Sequence, residues 1–316
     1  MKVLKYLGGC FGKRNNNMVN RGAVFLFFLV WNSLLLGQTN FERIIFYSLN
    51  EAIASDSAIN LNLSDKEIEA LPQQLTSLKA LERLDLRNNK LKDISIVVSF
   101  TTLTSLKVGN NTIASLPKNL GDLSKLKTLD VNNNSLTDLP KSFVELKELA
   151  TFNGNRNKFE GIPMVLFNCE NLQSLSLSNC SIQTIPGEIK MLKNLNYLNL
   201  SGNNISQLPE ELIKIKTLRT LDLSNNKLTS FDLKFKGLKN VEAIDLSGNN
   251  LTSLPKSFTK IFYLETLRIS NNQLTTLPKK LNKMKRLSIL VAEGNDFSEA
   301  EKDRIRSLLP QAQIVF

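Results

Sequence analysis

From residue 58 onward, large apolar residues return at a fixed interval that is far longer than the period of a helix or a strand. With Leu84 of the segment LERLDLRNNKL as reference, the interval is 23 residues, except for one step of 22 residues to Leu106. The equivalent positions are Leu61, Leu84, Leu106, Leu129, Phe152, Leu175, Leu198, Leu221, Ile244, Leu267 and Leu290. An interval of this length is typical of stacked units that bury one continuous core. The pattern therefore predicts about eleven units across residues 58–297, of which the first and last are atypical.

The positions inside one unit predict its local structure. The L-x-L step at the reference places two apolar side chains on one face of a short strand, because side chains alternate along a strand. Apolar pairs three residues apart, such as Leu120 and Leu123, predict a helical or 3₁₀ turn on the opposite side of the unit. Eight of the nine prolines lie eleven residues after a reference, where a residue without a backbone N–H suits an irregular segment.

An asparagine stands five residues after nearly every reference position. These residues are Asn89, Asn111, Asn134, Asn157, Asn203, Asn226, Asn249, Asn272 and Asn295, and Lys66 and Cys180 take the place of asparagine in two units. A side-chain amide can both donate to and accept from backbone groups that lose their partners where a strand ends. We therefore predict that this asparagine column is structural and joins successive units.

The resulting frame, L-x-x-L-x-L-x-x-N-x-L-x-x-L-P, closely resembles the leucine-rich repeat family in its 23-residue form, as in bacterial and plant intracellular Ras-group-like proteins. This resemblance implies an α/β fold class, a right-handed curved solenoid with one short parallel strand per repeat, capped at both ends. It also implies a non-enzymatic binding protein that presents a concave sheet to a protein or peptide partner. We expect a monomer.

Both ends of the repeat array need a cover, because an open solenoid exposes its core. The mixed helical periodicity of residues 38–57 predicts an N-terminal capping helix. At the other end, residues 298–316 are expected to form a helix and an edge strand. Ser298 and Glu301 have the spacing of a capping box at the start of that helix.

Residues 1–37 are expected to be a leader. The apolar run GAVFLFFLVWNSLLLG at residues 22–37 suits the hydrophobic part of a secretory signal peptide, and Met18 offers a start codon that would exclude residues 1–17. We expect export to the periplasm, the cell surface or the medium, with no integral membrane span after removal of the leader. A buried N-terminal helix, a short anchor and a cytosolic scaffold remain the alternatives.

The composition excludes several classes of chemistry. The chain has no histidine and three cysteines, so histidine-based catalysis and all-cysteine zinc sites are absent. Aspartates follow the reference residue in four units, at Asp85, Asp130, Asp222 and Asp245. Although paired carboxylates can hydrolyse glycosides, aspartate at this position is a frequent repeat residue. We therefore expect no catalytic residues, no metal and no cofactor.

The net charge of +11 first suggests a nucleic-acid partner. However, residues 1–37 hold five basic residues and no acid, so the remainder carries 35 basic and 29 acidic residues, a net charge of +6. Many of these lysines fall on loops and turns. We therefore expect no nucleic-acid partner.

Some exposed strand positions interrupt an otherwise small and polar surface, and these are the candidate ligand-binding residues. They are Arg83, Arg87, Lys107, Lys127, Asn153, Arg156, Tyr197, Arg219 and Arg268. Tyrosine and arginine are enriched as interface anchors. The alternatives are a basic patch that binds an anionic glycan or envelope surface, and a solvated face that binds nothing. Gly154 replaces an inward leucine near this patch, where Phe152 and Phe159 are expected to fill the space.

Overall fold

A computed structural model describes residues 44–55, 58–231, 233 and 238–316. The expected leader and residues 38–43 of the expected N-terminal cap lie outside these residues. Among the described residues, thirteen strands form one parallel sheet whose spatial order follows the sequence. The strands are β1 Ile45–Phe46, β2 Asn60–Asn62, β3 Arg83–Asp85, β4 Ser105–Lys107, β5 Thr128–Asp130, β6 Thr151–Asn153, β7 Ser174–Ser176, β8 Tyr197–Asn199, β9 Thr220–Asp222, β10 Ala243–Asp245, β11 Thr266–Arg268, β12 Ile289–Val291 and β13 Gln313–Val315.

The strand register confirms the repeat frame. Leu61 pairs with Leu84, Leu84 with Leu106, and the same position pairs from strand to strand up to Leu290. Each of these residues is buried, as is the apolar residue two positions later in every coil except that of β6, where glycine takes this place. The eleven predicted units are therefore the coils of β2–β12, and the predicted solenoid is confirmed.

The opposite side of the coils consists of 3₁₀ segments. They span Gln73–Ser77, Ser95–Ser99, Leu120–Asp122, Lys141–Glu145, Met164–Asn168, Gly187–Met191, Glu210–Lys214, Lys256–Lys260 and Leu281–Lys283. Six of them begin directly after a proline of the Leu-Pro step. Each segment sends at least one apolar side chain, such as Phe143 or Leu212, into the core.

The glycine at position 154 makes room for an aromatic ring. A Cβ atom at Gly154 would lie 2.9 Å from Cε1 of Phe152 and 2.9 Å from Cδ2 of Leu177. The Phe152 ring packs edge-on against Phe143, with 5.6 Å between the ring centroids. Phe152 therefore fills the space that an inward leucine occupies in the other coils.

The N-terminal end differs from the single helix expected over residues 38–57. In its described part, only Leu49–Ala54 is α-helical (α1), and Ile45–Phe46 forms the edge strand β1. This strand pairs with Asn60 and Leu61, and the Asn60 amide donates to the carbonyl oxygen of Ile44 at 3.3 Å. Ser48 precedes the helix without capping it through its side chain. The β-branched, aromatic segment thus extends the sheet instead of the helix.

The C-terminal end has the expected helix, α2 at Glu299–Leu308, followed by β13. Only one of the two hydrogen bonds of the expected capping box forms, so that prediction is wrong in part. Ser298 Oγ accepts the N–H of Glu301 at 3.2 Å, but the Glu301 carboxylate accepts the N–H of Leu277 at 2.8 Å. Arg304 binds both carboxylate oxygens of Glu301 at 2.6 Å and donates to the Leu277 carbonyl at 2.7 Å. Glu301 therefore joins the helix to the array and does not return to its own N-terminus.

Candidate binding face

The sheet has one face against the core and one face directed away from it. In β3, Leu84 is buried, whereas Arg83 on one side of it is exposed and Asp85 on the other is half-buried. The same alternation recurs in the following strands because of the common register. We call the surface on this outer side of the sheet the open face. In each coil it consists of the two residues before the reference residue and of the first, third and fourth residues after it.

Aspartate and asparagine at the third strand position close a turn at the end of the strand. The Asp85 carboxylate accepts the N–H of Arg87 at 3.1 Å, and Asp222 and Asp245 accept the N–H groups two residues later at 3.0 and 2.9 Å. Asn62, Asp130, Asn153 and Asn199 do the same. The four strand aspartates thus stabilise the turn at the end of their strands. Asn153, a candidate ligand residue, also has its side-chain oxygen engaged in this way.

The asparagine column bonds each coil to the one before it. The Asn226 amide donates to Leu200 O at 2.9 Å and to Leu223 O at 3.0 Å, while its oxygen accepts the N–H of Ile205 at 3.0 Å. Asn89, Asn111, Asn134, Asn157, Asn203, Asn249, Asn272 and Asn295 occupy the same position with the same kind of bonds. In the one coil with Cys180, the thiol approaches Gly154 O and Ser178 O at 3.4 Å. The column fixes the backbone that carries the open face.

The residue before this column has a left-handed backbone in every coil from β2 to β12. Its φ angle lies between 50° and 66°, and the residues are Asp65, Asn88, Asn110, Asn133, Arg156, Asn179, Gly202, Asn225, Gly248, Asn271 and Gly294. Asparagine, aspartate and glycine tolerate this conformation, whereas other L-residues lose about 1–2 kcal/mol in it. Arg156, with φ of 53°, is the exception. Strained residues of this kind cluster at functional sites.

Two arrangements occur along this left-handed column. In the first coils, the Asn110 amide donates to the Asn88 oxygen at 2.6 Å, and the Asn133 amide donates to the Asn110 oxygen at 2.7 Å. In the later coils, asparagine alternates with glycine, and a Cβ atom at Gly248 would lie 2.3 Å from the Asn225 oxygen. Arg156 stands between these two stretches.

The candidate residues occupy all five positions of the open face. Arg83 and Tyr197 begin their strands, and Lys107, Asn153 and Arg268 end theirs. Lys127 and Arg219 precede β5 and β9, whereas Arg87 and Arg156 lie in the turns after β3 and β6. Four successive strands, β3–β6, bring Arg83, Arg87, Lys107, Lys127 and Arg156 onto neighbouring coils, and Arg219 and Arg268 lie three or more strands away.

Three of the basic candidates have carboxylate partners. Arg87 binds Asp85 at 2.6 Å, and Lys127 lies 3.6 Å from Glu148. Arg219 pairs with Glu242 on the next coil. The pairs of Arg87 and Lys127 lower the positive potential that the five neighbouring basic residues would otherwise produce, which weakens the anionic-surface alternative.

The charges of the open face are separated along the array. The basic half, on the coils of β3–β6, holds five basic side chains against three acidic ones. The open-face positions of the β7 and β8 coils hold no charged residue. The acidic half, on the coils of β9–β12, holds two basic side chains, Arg219 and Arg268, against five acidic ones, Asp222, Glu242, Asp245, Glu265 and Glu293. The acidic half was not predicted from the sequence, because only basic, aromatic and amide side chains were considered as ligand-binding candidates at the strand positions. These carboxylates nevertheless stand at the same positions of the repeat.

Burial perturbs two carboxylates of the face. Desolvation raises the pKa of Asp130, while Arg87 and Lys107 act in the opposite direction. Desolvation also raises the pKa of Asp245, and the neighbouring Asp222 raises it further. Asp85 also raises the pKa of Asp130, and Arg268 lowers that of Asp245, so this position has two cations and one carboxylate as charged neighbours in the basic half and one of each in the acidic half.

The described residues offer little for other chemistry. Cys169 and Cys180 are buried free thiols, and burial raises the pKa of Cys169 to about 12, so neither is a ready nucleophile. Within the described part of the chain, no group of three acidic or cysteine side chains is placed to hold a metal ion. Neither α1 nor α2 has the length and apolar character needed to cross a membrane.

Comparison with known families gives four matches, of which the first three overlap. Residues 97–196 match a leucine-rich repeat region, 170–228 a leucine rich repeat, 216–257 two copies of the repeat, and 263–284 one copy. The volume-regulated anion channel subunit LRRC8A of Rattus norvegicus is 33% identical over 89 residues, which is 27% of this chain. This chain therefore spans only 11% of the length of that relative.

Two solved structures cover most of the solenoid. A leucine-rich repeat protein of Leptospira interrogans is 26% identical, with a TM-score of 0.61 over 86% of this chain and 100% of that chain. The Arabidopsis receptor kinase HAESA, solved with the peptide hormone IDA and the co-receptor SERK1, is 31% identical. Its TM-score is 0.67 over 77% of this chain and 43% of that chain.

Proposed function

Since the chain belongs to the leucine-rich repeat proteins, we propose that it is a non-enzymatic binding protein whose open face recognises a protein or peptide partner. The observation that carries this proposal is the geometry of the face. Its backbone is held from coil to coil by buried asparagines, while the side chains that it presents differ from coil to coil. The structure of HAESA with a peptide hormone supports a peptide ligand for this kind of solenoid.

A preformed face of this kind reduces the entropic cost of binding, because the backbone needs no reordering. Tyr197 lies half-buried near the middle of the face, where its Oη is 3.4 Å from the Asn199 amide. A partly exposed aromatic ring between small polar side chains gives a partner both apolar contact area and a hydrogen-bonding group. The face thus combines a central aromatic anchor with a charged periphery.

We further propose that the protein is exported, as the apolar segment at residues 22–37 supports. It would then act in the periplasm, at the cell surface or in the medium of a bacterium. N-terminal sequencing of the chain recovered from each cell fraction tests this location. A chain that starts near Gln38 outside the cytosol agrees with export, whereas an intact Met1 or Met18 in the cytosol contradicts it.

Selection from a displayed library of random 20-residue peptides tests the binding function. The bait is the full chain, and two variants serve as comparisons. Ser174→Trp places a large side chain at the centre of the open face, between its strand neighbours Thr151 and Tyr197. Lys190→Trp places the same side chain on the opposite side, in the segment Gly187–Met191.

We expect the wild-type chain and the Lys190→Trp variant to enrich the same peptides, and the Ser174→Trp variant to lose them by at least tenfold. Circular dichroism and thermal unfolding establish that both variants are folded. Peptides that bind all three proteins equally would contradict recognition on the open face.

A further inference from the structure

We propose that the open face binds an extended segment with an acidic cluster at one end and a basic cluster at the other, held in one orientation along the array. The acidic end lies over the basic half and the basic end over the acidic half. This inference rests on the proposed function and names the chemistry of its partner.

The separation of charge is the first support. Five basic side chains face three acidic ones in the basic half, and the ratio reverses to two against five in the acidic half. A uniformly anionic ligand would gain from one half and be repelled by the other. A ligand with both charges at opposite ends matches both halves, and like-charge contact penalises the reversed orientation.

The exposed members of each half are the second support. In the basic half, Arg83 and Arg156 are exposed and Lys107 is half-buried, and these three lie outside the ion pairs of Arg87 and Lys127. In the acidic half, Glu265 and Glu293 are exposed. Each half therefore presents accessible side chains of its own sign.

The strain at Arg156 is the third support. Arginine keeps a left-handed backbone at a position that is otherwise asparagine, aspartate or glycine. Its φ of 53° places it in the turn after β6, between the basic half and the uncharged coils. A guanidinium retained at this conformational cost is consistent with a contact to an anionic group of the partner.

The spacing of the two clusters follows from the strand repeat. The centre of the basic half lies between β4 and β5, and that of the acidic half lies between β10 and β11, six strand steps away. Neighbouring strands are about 4.8 Å apart, so the centres are separated by roughly 29 Å. An extended chain advances about 3.3 Å per residue, so the centres of the two clusters of the ligand lie about nine residues apart.

The probe for this proposal is a synthetic 12-residue peptide with three glutamates, six uncharged residues that include one tyrosine, and three lysines, so that the centres of its charged clusters are about nine residues apart. Its control has the same composition with glutamate and lysine alternating along the chain. A photo-reactive benzophenone at the glutamate end reports where that end lies. Binding is measured by fluorescence anisotropy at low ionic strength, because salt screens exposed charges.

Four variants of the full chain complete the design. R83E/K107E reverses the charge in the basic half, and E265K/E293K reverses it in the acidic half. The swap variant combines all four substitutions. The back variant K118E/K190E changes two exposed lysines, one shortly before the segment Leu120–Asp122 and one within Gly187–Met191, and it controls for the net charge of R83E/K107E.

We expect the wild-type chain to bind the probe at least tenfold more tightly than the alternating control, and the back variant to match the wild type. Each half variant is expected to lose at least tenfold in affinity, and the swap variant to regain it because the probe turns around. The benzophenone would then cross-link near β4 in the wild type and near β11 in the swap variant.

Equal affinity for the probe and the alternating peptide would overturn the proposal, as would an unchanged cross-linking site in the swap variant. These results leave the proposed function intact if the Ser174→Trp variant still loses the library-selected peptides. If the Ser174→Trp variant instead binds the library-selected peptides as well as the wild type does, the proposed function is contradicted. The two failures are therefore distinguishable.

Discussion

The coils that carry the basic half of the open face and those that carry the acidic half have the same interior but different surfaces. In both halves, the reference leucines pair in register, and a buried asparagine bonds each coil to its predecessor. Outside the core, the basic half has an Asn88–Asn110–Asn133 ladder and an excess of cations. The acidic half has alternating asparagine and glycine and an excess of carboxylates.

The difference shows which positions are fixed by folding. Buried backbone groups need partners in every coil, so the asparagine column has the same geometry in both halves. The side chains on the open face have no such requirement beyond the turn at the end of each strand. The variation of these side chains therefore reflects the partner. Substitutions at matched positions of the two halves can distinguish residues that stabilise the fold from residues that bind the partner.

The largest expected effect is the loss of a column asparagine. Asn111→Ala in the basic half and Asn226→Ala in the acidic half each remove two bonds to the preceding coil and bonds within their own coil. We expect each to lower the free energy of unfolding by about 1–3 kcal/mol, measured by urea denaturation. Ser224→Ala, next to the column, is expected to cost less.

Similar losses in the two halves would agree with a common scaffold. If Asn226→Ala and Ser224→Ala had the same denaturation midpoint, the column would not have the stabilising role assigned to it.

The next effect concerns the end of the acidic half, where Glu301 joins helix α2 to Leu277. Glu301→Gln weakens a charge-assisted bond to Arg304, and we expect it to cost about 1–2 kcal/mol. Hydrogen exchange should show faster opening at residues 299–315 and unchanged protection of the basic half. Faster exchange throughout β3–β6 would contradict this local effect.

This contribution also predicts a pH dependence. The Arg304 guanidinium lowers the pKa of Glu301 below its ordinary value of 4.5. The stabilisation is therefore complete above the unfolded pKa and is lost as the pH falls through the lower pKa of the folded state. The wild type and the Glu301→Gln variant should converge in stability in acid; a constant difference down to pH 2 would contradict the role of the charge.

Arg156→Asn tests the boundary between the two halves. Asparagine tolerates the left-handed backbone that arginine adopts there, so we expect a gain of about 1 kcal/mol in unfolding free energy. The same substitution should weaken binding of the glutamate–lysine probe. Thermal unfolding and anisotropy measure the two effects, and a variant that is less stable than the wild type would contradict the strain.

The smallest expected effect compares one aspartate position in the two halves. Asp245→Asn keeps the oxygen that accepts the Ser247 N–H and removes repulsion from Asp222. Asp130→Asn instead removes attraction to Arg87 and Lys107. We expect Asp245→Asn to be stabilising at neutral pH, by less than about 1 kcal/mol, and to be more favourable than Asp130→Asn.

The raised pKa of Asp245 fixes the sign of the pH effect. The folded state disfavours the ionised carboxylate, so the advantage of Asp245→Asn is present above the folded pKa. It disappears as the pH falls below the unfolded pKa, where both forms are neutral. An advantage that grew in acid would contradict this assignment.

The repeating positions could be predicted from the sequence because each one recurs at a fixed interval with one residue type. The reference residues, the Leu-Pro steps before the 3₁₀ segments and the helix and strand at the C-terminus all belong to this class. Phe152 could also be placed in the gap beside Gly154, because its bulk compensates for the missing side chain.

The remaining features depend on partners that the sequence does not identify. The ion pair of Lys127 joins it to Glu148, and that of Arg219 to Glu242, one coil further on in each case. The left-handed backbone at Arg156 could not be predicted from the sequence, because arginine does not favour this conformation. Strand β1 forms only because β2 offers an edge, so the local helical periodicity of residues 38–57 was not sufficient to place it.

Two tyrosines provide the most direct test of recognition on the open face. Tyr197 lies at its centre, whereas Tyr263 is exposed at the turn that leads into β11, with Arg286 4.4 Å from its ring centroid. Hydroxyl-radical footprinting of the full chain, with and without a library-selected peptide, measures both rings in one experiment. We expect the peptide to protect Tyr197 and to leave Tyr263 unchanged. Protection of Tyr263 with unchanged oxidation of Tyr197 would contradict recognition on the open face.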